Sequence, residues 1–261
     1  MASPLELENH PKVLDDVSTK QEEEEESFSY AMQLAMSSVL PMSLQCAIEL
    51  GVFDIIAKAG EGAKLSPGEI AAQMAANDNP DAPVMLYRIL RMLASHSVLS
   101  CSVISDSIET ESNFQRLYSL SPVSKYFVTN EDGVSLGPFM ALIQDKIFLD
   151  SWPQLKGAIL EGGIPFNRVY GTHAFEYPGL DSRFNHVFNT AMYHQTTIVV
   201  KNILKVYKGF NHLKQLVDVG GGLGVTLNLI TSKYPHIKGI DFDLPHVIEH
   251  APAYPGMILR F

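Results

Sequence analysis

The stretch Leu216-Val217-Asp218-Val219-Gly220-Gly221-Gly222-Leu223-Gly224 constrains this chain more than any other. Four residues suited to a buried strand run into a glycine cluster, and a helix-patterned segment, 225–233, follows at once. Strand, glycine turn and helix, in that order, is how an open α/β sheet presents a helix N-terminus and bare backbone to a ligand at the carboxyl edge of its strands. Residues 237–242 read as the second strand, with Asp243 at its end.

Asp218 lies inside a run that should be a buried parallel strand, where a carboxylate is costly unless it is paired or meets a cation. At the carboxyl end of its strand it faces the ligand crevice. A pyrophosphate would be repelled there, whereas S-adenosylmethionine brings an ammonium and a sulfonium. Gly220 and Gly222 allow close backbone approach, but Val225 stands where the dinucleotide fingerprint needs a small residue, and no Lys-Ser/Thr pair completes a P-loop. Asp243 sits where a carboxylate accepts hydrogen bonds from two ribose hydroxyls. Asp241, two residues earlier on the same face, competes for that role, and Asp243 could also cap a helix over 244–247.

Upstream, nine acidic residues against Lys12 and Lys20 put −7 of the net charge of −10 in the first 26 residues. The block Glu22 to Glu26 reads as part of a solvated, flexible tail over 1–27. Helical apolar periodicity starts at Ser27, with Pro41 as a kink or break. Ser66-Pro67-Gly68-Glu69 has the form of a capping box, and Val84 to Leu93 patterns as an amphipathic helix. Two β-like runs, 98–103 and 116–120, complete a winged-helix pattern. Only Arg88 and Arg91 give its second helix positive charge, so a dimer-forming use is preferred to DNA binding, and no nucleic-acid partner is expected. Residues 136–160 read as helix broken near Pro153, and Asp181 as the cap of a long helix with a Phe/Met stripe. Cys46 and Cys101 have no metal-ligand spacing, and neither a secretory leader nor a membrane span is recognised. A cytoplasmic protein without a metal or a membrane partner is the expectation.

The motif Leu216 to Gly222 followed by Asp241-Phe242-Asp243-Leu244-Pro245-His246-Val247 resembles plant caffeic acid O-methyltransferases and their flavonoid-methylating relatives. The resemblance extends to Ala31-Met32-Gln33-Leu34-Ala35, Asn79-Pro80-Asp81-Ala82-Pro83-Val84-Met85-Leu86, Glu131-Asp132-Gly133-Val134 and Gly162-Gly163-Ile164-Pro165-Phe166-Asn167. It implies a mainly α winged-helix dimerisation domain over 28–130. A Rossmann-like α/β methyltransferase domain then occupies 131–261 and methylates a phenolic hydroxyl of phenylpropanoid, lignin-precursor or flavonoid type. It also implies cofactor contacts at Gly220, Asp243 and Thr196, beside Asp218 and Gly222 read from the turn itself. The phenolic pocket falls by the same resemblance on Leu142, Ile143, Phe148, Ala174, Phe184, Phe188 and Met192. Departures from the family pattern at Leu142-Ile143, Pro178 and Gln195 remove polar pocket partners, which shifts specificity strongly.

The resemblance ends at Gly256. Met257 to Phe261 is expected to be an unmatched tail, leaving a truncated domain with only the first two strands and with Val217, Val219 and Ile240 short of neighbours. The family's general-base segment has no counterpart, so no catalytic residue is assigned to any of the nine His, including His173, His186, His194, His212 and His246. An inactive chain is expected, forming homodimers or acting as a non-catalytic dimerisation partner of full-length paralogues.

Overall fold

The computed structural model describes residues 12–75, 78–105, 114–249 and 251–261. The chain divides into two compact units, residues 1–44 and 45–261. The first holds α1 (Lys12–Ala35) and the start of α2 (Val39–Glu49). The acidic block, read as part of a flexible tail, is helical from Lys12 onward, and residues 1–11 of that tail lie outside the described residues. Glu and Gln are strong helix formers, and complete exposure lets solvent and salt screen the like charges. The break falls at residues 36–38, and Pro41 sits in the first turn of α2, where its missing N–H costs nothing.

The second unit begins with α3 (Val52–Lys58), α4 (Pro67–Ala71), α5 (Ala82–Ser95) and the antiparallel pair β1 (Leu99–Ser105) and β2 (Phe114–Leu120). The capping box forms: Glu69 N donates to Ser66 Oγ while Ser66 N donates to Glu69 Oε2 at 2.7 Å. Phe53, Ile56, Ile70, Leu86, Leu90, Leu93 and Tyr118 are buried on the inward faces of these elements. This is the expected helix–turn–helix and hairpin; the loop between the two strands, 106–113, lies outside the described residues. Arg91 of α5 and Arg116 of β2 both lie over the Tyr87 ring, which ties the helix to the hairpin.

Next come α6 (Gly137–Ile143), α7 (Lys146–Leu149), α8 (Leu155–Glu161), α9 (Pro165–Tyr170) and the long α10 (Ser182–Val206). Asp181 caps α10 by accepting from Phe184 N at 2.9 Å. Arg183 meets Asp145 through two hydrogen bonds, 2.6 and 3.0 Å, which fix the α6–α7 turn against the start of α10. Farther along α10, His194 Nδ1 accepts from Ser135 N at 3.1 Å, and Lys201 pairs with Asp132.

The final layer is a parallel sheet of β3 (Gln215–Val219), β4 (Lys238–Phe242) and β5 (Met257–Arg260), in the order β3-β4-β5. Helix α11 (Val225–Lys233) makes the crossover from β3 to β4, and α12 (Pro245–Ile248) follows β4. Val200 and Leu204 of α10 pack with Ile230, Tyr234 and Ile237 to close one face. The α/β architecture is the one expected, but the sheet has three strands and not two. Met257 to Arg260, expected to be a tail, pairs with β4 instead, and Ile240 is flanked by both Val217 and Ile258. Val217 and Val219 are 51% and 75% exposed on the other face, as the missing neighbours implied. Among the described residues no single helix is long and apolar enough to cross a membrane.

Candidate functional site

The glycine turn owes its shape to backbone that side chains resist. Gly220, Gly222 and Gly224 have φ of 77°, 64° and 76°, the left-handed region that glycine enters without penalty. Gly220 N donates to Phe242 O at 2.7 Å, and Gly224 N to Gly221 O at 3.0 Å, so the turn is anchored to β4 and closes on itself. Asp243 holds the middle, its Oδ2 accepting from Gly222 N at 2.8 Å and its Oδ1 from Leu244 N at 2.6 Å. It does not cap α12, whose N-cap is Leu244 without a side-chain bond.

Two cavities open on either side of this turn. The larger, about 750 Å³, is lined by Gly220, Gly222, Asp243 and Leu244 on the sheet side and by Phe175, Asn185 and Phe188 opposite. The smaller, about 210 Å³, is lined by Asp218, Gly221, Thr226, Met192 and Thr196. Gly220, Gly222, Leu223 and Asn189 belong to both, so the two form one crevice between the turn and α10. All five residues read as donor contacts (Gly220, Gly222, Asp218, Asp243 and Thr196) line this crevice.

The acidic groups beneath it are electrostatically tense. Asp218 and Asp241 are partners in the β3–β4 register. Burial, then the nearby Asp243, raises the Asp218 carboxyl above its ordinary value. Asp241 is fully buried, and neither of its carboxylate oxygens has a hydrogen-bond partner among the described residues. Burial first, then Asp218 and Asp243, push it up to about 6. Asp241 therefore packs under the turn, while Asp243 reaches the ligand side.

The residues read as a phenolic pocket fall into three positions. Leu142 and Phe184 are buried with Ile147, Phe166 and Ala191, and Phe148 and Ala174 pack on that cluster. Phe148 meets Phe184 edge-on at 5.6 Å, which favours the ring quadrupoles. Phe188 and Met192 pack on the same cluster and also line the larger and smaller cavity, respectively. Ile143 is 45% exposed and lines neither cavity. Sequence reasoning missed Asn185 and Asn189, whose amides bond to each other at 2.8 Å along the crevice wall. Their four-residue spacing, one position after each of Phe184 and Phe188, was the available signal. Among the described side chains no histidine lines either cavity: His194 serves Ser135, and His173 stacks on Phe175 at 5.5 Å. No group of three or more His, Cys, Asp or Glu among the described residues is arranged to hold a metal.

Comparison with known proteins agrees with this geometry. An O-methyltransferase dimerisation domain family matches residues 32–130, and an O-methyltransferase domain family matches 152–258. The chain is 58% identical over 241 residues to a catechol O-methyltransferase of Solanum lycopersicum, covering 92% of this chain and 64% of that protein. It is 57% identical over 228 residues to a caffeic acid 3-O-methyltransferase of Eucalyptus globulus, covering 87% of this chain and 72% of that one. Human N-acetylserotonin methyltransferase, solved in complex with SAM, shares the fold with a TM-score of 0.67 at 20% identity, over 89% of this chain and 65% of that one. The chain thus spans about two thirds of the length of the relatives it matches. With both domains matched in order and most of a relative covered at this identity, the chain belongs to the plant caffeic acid O-methyltransferase family.

Proposed function

We propose that this protein binds S-adenosylmethionine in the crevice astride the glycine turn and presents it to a phenolic hydroxyl of caffeate or catechol type. The observation that carries the reading is the crevice itself: three glycines at positive φ, with Asp243 held against the turn and Asp218 at its inner end. The residues fit the donor. Asp243 and the backbone of Gly220 and Gly222 would hold the ribose side. Asp218 and Thr196, in the smaller cavity, would hold the amino-acid side, where an acid suits an ammonium and a sulfonium. When bound, the donor supplies an electrophilic methyl group.

The chain's own residues supply orientation and exclusion of water. Phe188, Met192 and the aromatic cluster behind them form an apolar wall for a planar acceptor, and the Asp145–Arg183 pair keeps that wall in register. Holding two reactants in line is a large part of what a methyl transfer needs. The remaining need is a base for the phenol proton, and among the described side chains no histidine lines the crevice. We infer that the 261-residue polypeptide binds the donor without turning over. Calorimetric titration with S-adenosylmethionine, alongside a methylation assay on caffeate and catechol, tests both halves. Failure to bind refutes the site, and methylated product refutes the inactivity.

A second role rests on a separate observation. Phe28, Tyr30, Leu34, Met36 and Met42 are exposed along α1 and α2, and the dimerisation-domain match covers the last three. We infer that this surface pairs with a second copy or with a full-length paralogue, in the cytoplasm. Co-expression with a full-length paralogue and pull-down tests it; recovery of the two chains only as separate species refutes it.

A further inference from the structure

Asp241 has no role in the donor contacts, yet it is the most unusual side chain in the molecule. It is fully buried, and both carboxylate oxygens lack a hydrogen-bond partner among the described residues. A buried carboxylate in that condition is costly when ionised. Its surroundings explain where it points. A methyl group placed on Gly221 would overlap Asp241 Oδ1 and would sit 3.1 Å from Asp218 Cγ; one on Gly224 would sit 3.1 Å from Asp241 Oδ2. Both carboxyls thus lie against Gly221, beneath the smaller cavity to which Asp218 and Gly221 contribute.

The charged groups around the pair come from every neighbouring element. Asp218 lies on β3, and Asp243 at the end of β4 adds a third negative charge. On β5 the nearest charge is Arg260, in register with Phe242 and exposed. On α11 it is Lys233, at the far end of the helix and bonded to Leu204 O. Among the described residues no cation thus opposes the two acids, and the negative charge of Asp218 and Asp243 adds to burial in disfavouring an ionised Asp241.

We propose that Asp241 holds a proton beneath the glycine turn beside Asp218, and that a sulfonium ligand in the smaller cavity expels it more fully than the corresponding thioether, which brings the ammonium alone. The proton leaves to solvent through Asp218, the partly exposed member of the pair. The donor and its demethylated product differ by one positive charge at sulfur, so the pair becomes a charge detector that holds the donor more firmly than the product. This rests on the donor reading above and extends it to the choice of ligand: the thioether leaves more of the proton in place and is held less firmly.

The test is calorimetric titration of the 261-residue chain with S-adenosylmethionine and with S-adenosylhomocysteine, at pH 6 and pH 7, in two buffers of different ionisation enthalpy. The donor should release about half a proton at pH 6 and about a tenth at pH 7, the fractions a carboxyl near 6 holds at those values. The thioether should release clearly less at each pH. The Asp241→Asn variant, checked by thermal melting, should bind the donor without release. Equal release by both ligands, no release by the donor at pH 6, or full release retained in the variant overturns the proposal while leaving the donor site standing. Binding of neither ligand overturns the donor site and the proposal together. The wild-type comparison decides the matter even if the variant does not fold.

Discussion

Substituting Gly221 by Ala probes the underside of the turn with a single methyl group. Gly221 does not have positive φ, so the backbone tolerates the change, and the whole cost is spatial. The new methyl overlaps Asp241 Oδ1, and that carboxyl has nowhere to retreat because it is fully buried. Overpacking of this kind costs about 1–3 kcal/mol. In a domain of this size each kcal/mol lowers the melting temperature by about 2–4 °C. Donor affinity should fall with it, because the turn can relieve the overlap only by moving into the crevice. Asp241→Ala removes the atom that the methyl overlaps and leaves only the tight contact with Asp218 Cγ at 3.1 Å, so the double variant should recover most of the loss, with a coupling of about 1 kcal/mol or more. Gly220→Ala is the control. Nothing lies within 4 Å of its added methyl, but φ is 77°, so about 1–2 kcal/mol should be lost whatever stands at position 241. Thermal melts of the five variants and wild type complete the cycle. If Gly221→Ala and Asp241→Ala add independently, or if Gly220→Ala is rescued by Asp241→Ala, the packing argument is wrong.

Two further outcomes follow from other parts of the molecule. Phe184→Ala should cost about 3–5 kcal/mol, because the ring is completely buried and touches Phe148, Tyr177 and Phe188; a chemical-denaturation midpoint unchanged from wild type would contradict the packing of that cluster. His194 must be neutral to accept from Ser135 N, and burial lowers its pKa below the ordinary 6.5. The unfolded chain then binds the extra proton first, so the stability contributed is full above 6.5 and is lost as pH falls below it. His194→Gln should flatten the melting temperature between pH 5 and 7, and an unchanged acid slope would exclude the residue as the cause.

Much of this was legible before any coordinates, for reasons that differ from element to element. The capping box at Ser66, the cap at Asp181 and the glycine turn are local devices, and local geometry is written in neighbouring residues. The α/β class and the crevice positions of Asp218 and Gly222 followed from one strand–turn–helix signal, Asp243 from the end of the next strand, and Thr196 from the family resemblance alone. What escaped notice depends on partners distant in sequence. Residues 257–260 form a strand only because β4 offers an unpaired edge, which their own composition does not announce. The acidic segment from Lys12 is helical because propensity outweighs screened repulsion, a balance that charge counting alone misjudges. Asn185 and Asn189 look like ordinary helix-surface amides until α10 is placed against the turn.

Helix α10 carries a consequence for how the protein can be taken apart. Its first half walls the crevice, while its second half is pinned by His194 to Ser135 and by Lys201 to Asp132, in the segment just after the winged helix. A cut or a graft between the two matched domains that falls after Ser135 leaves those partners on one fragment and the helix on the other. Chimeras that exchange dimerisation domains between relatives should therefore splice at residue 130 and not after α6. Swaps made after α6 would alter crevice shape even though no crevice residue had been exchanged.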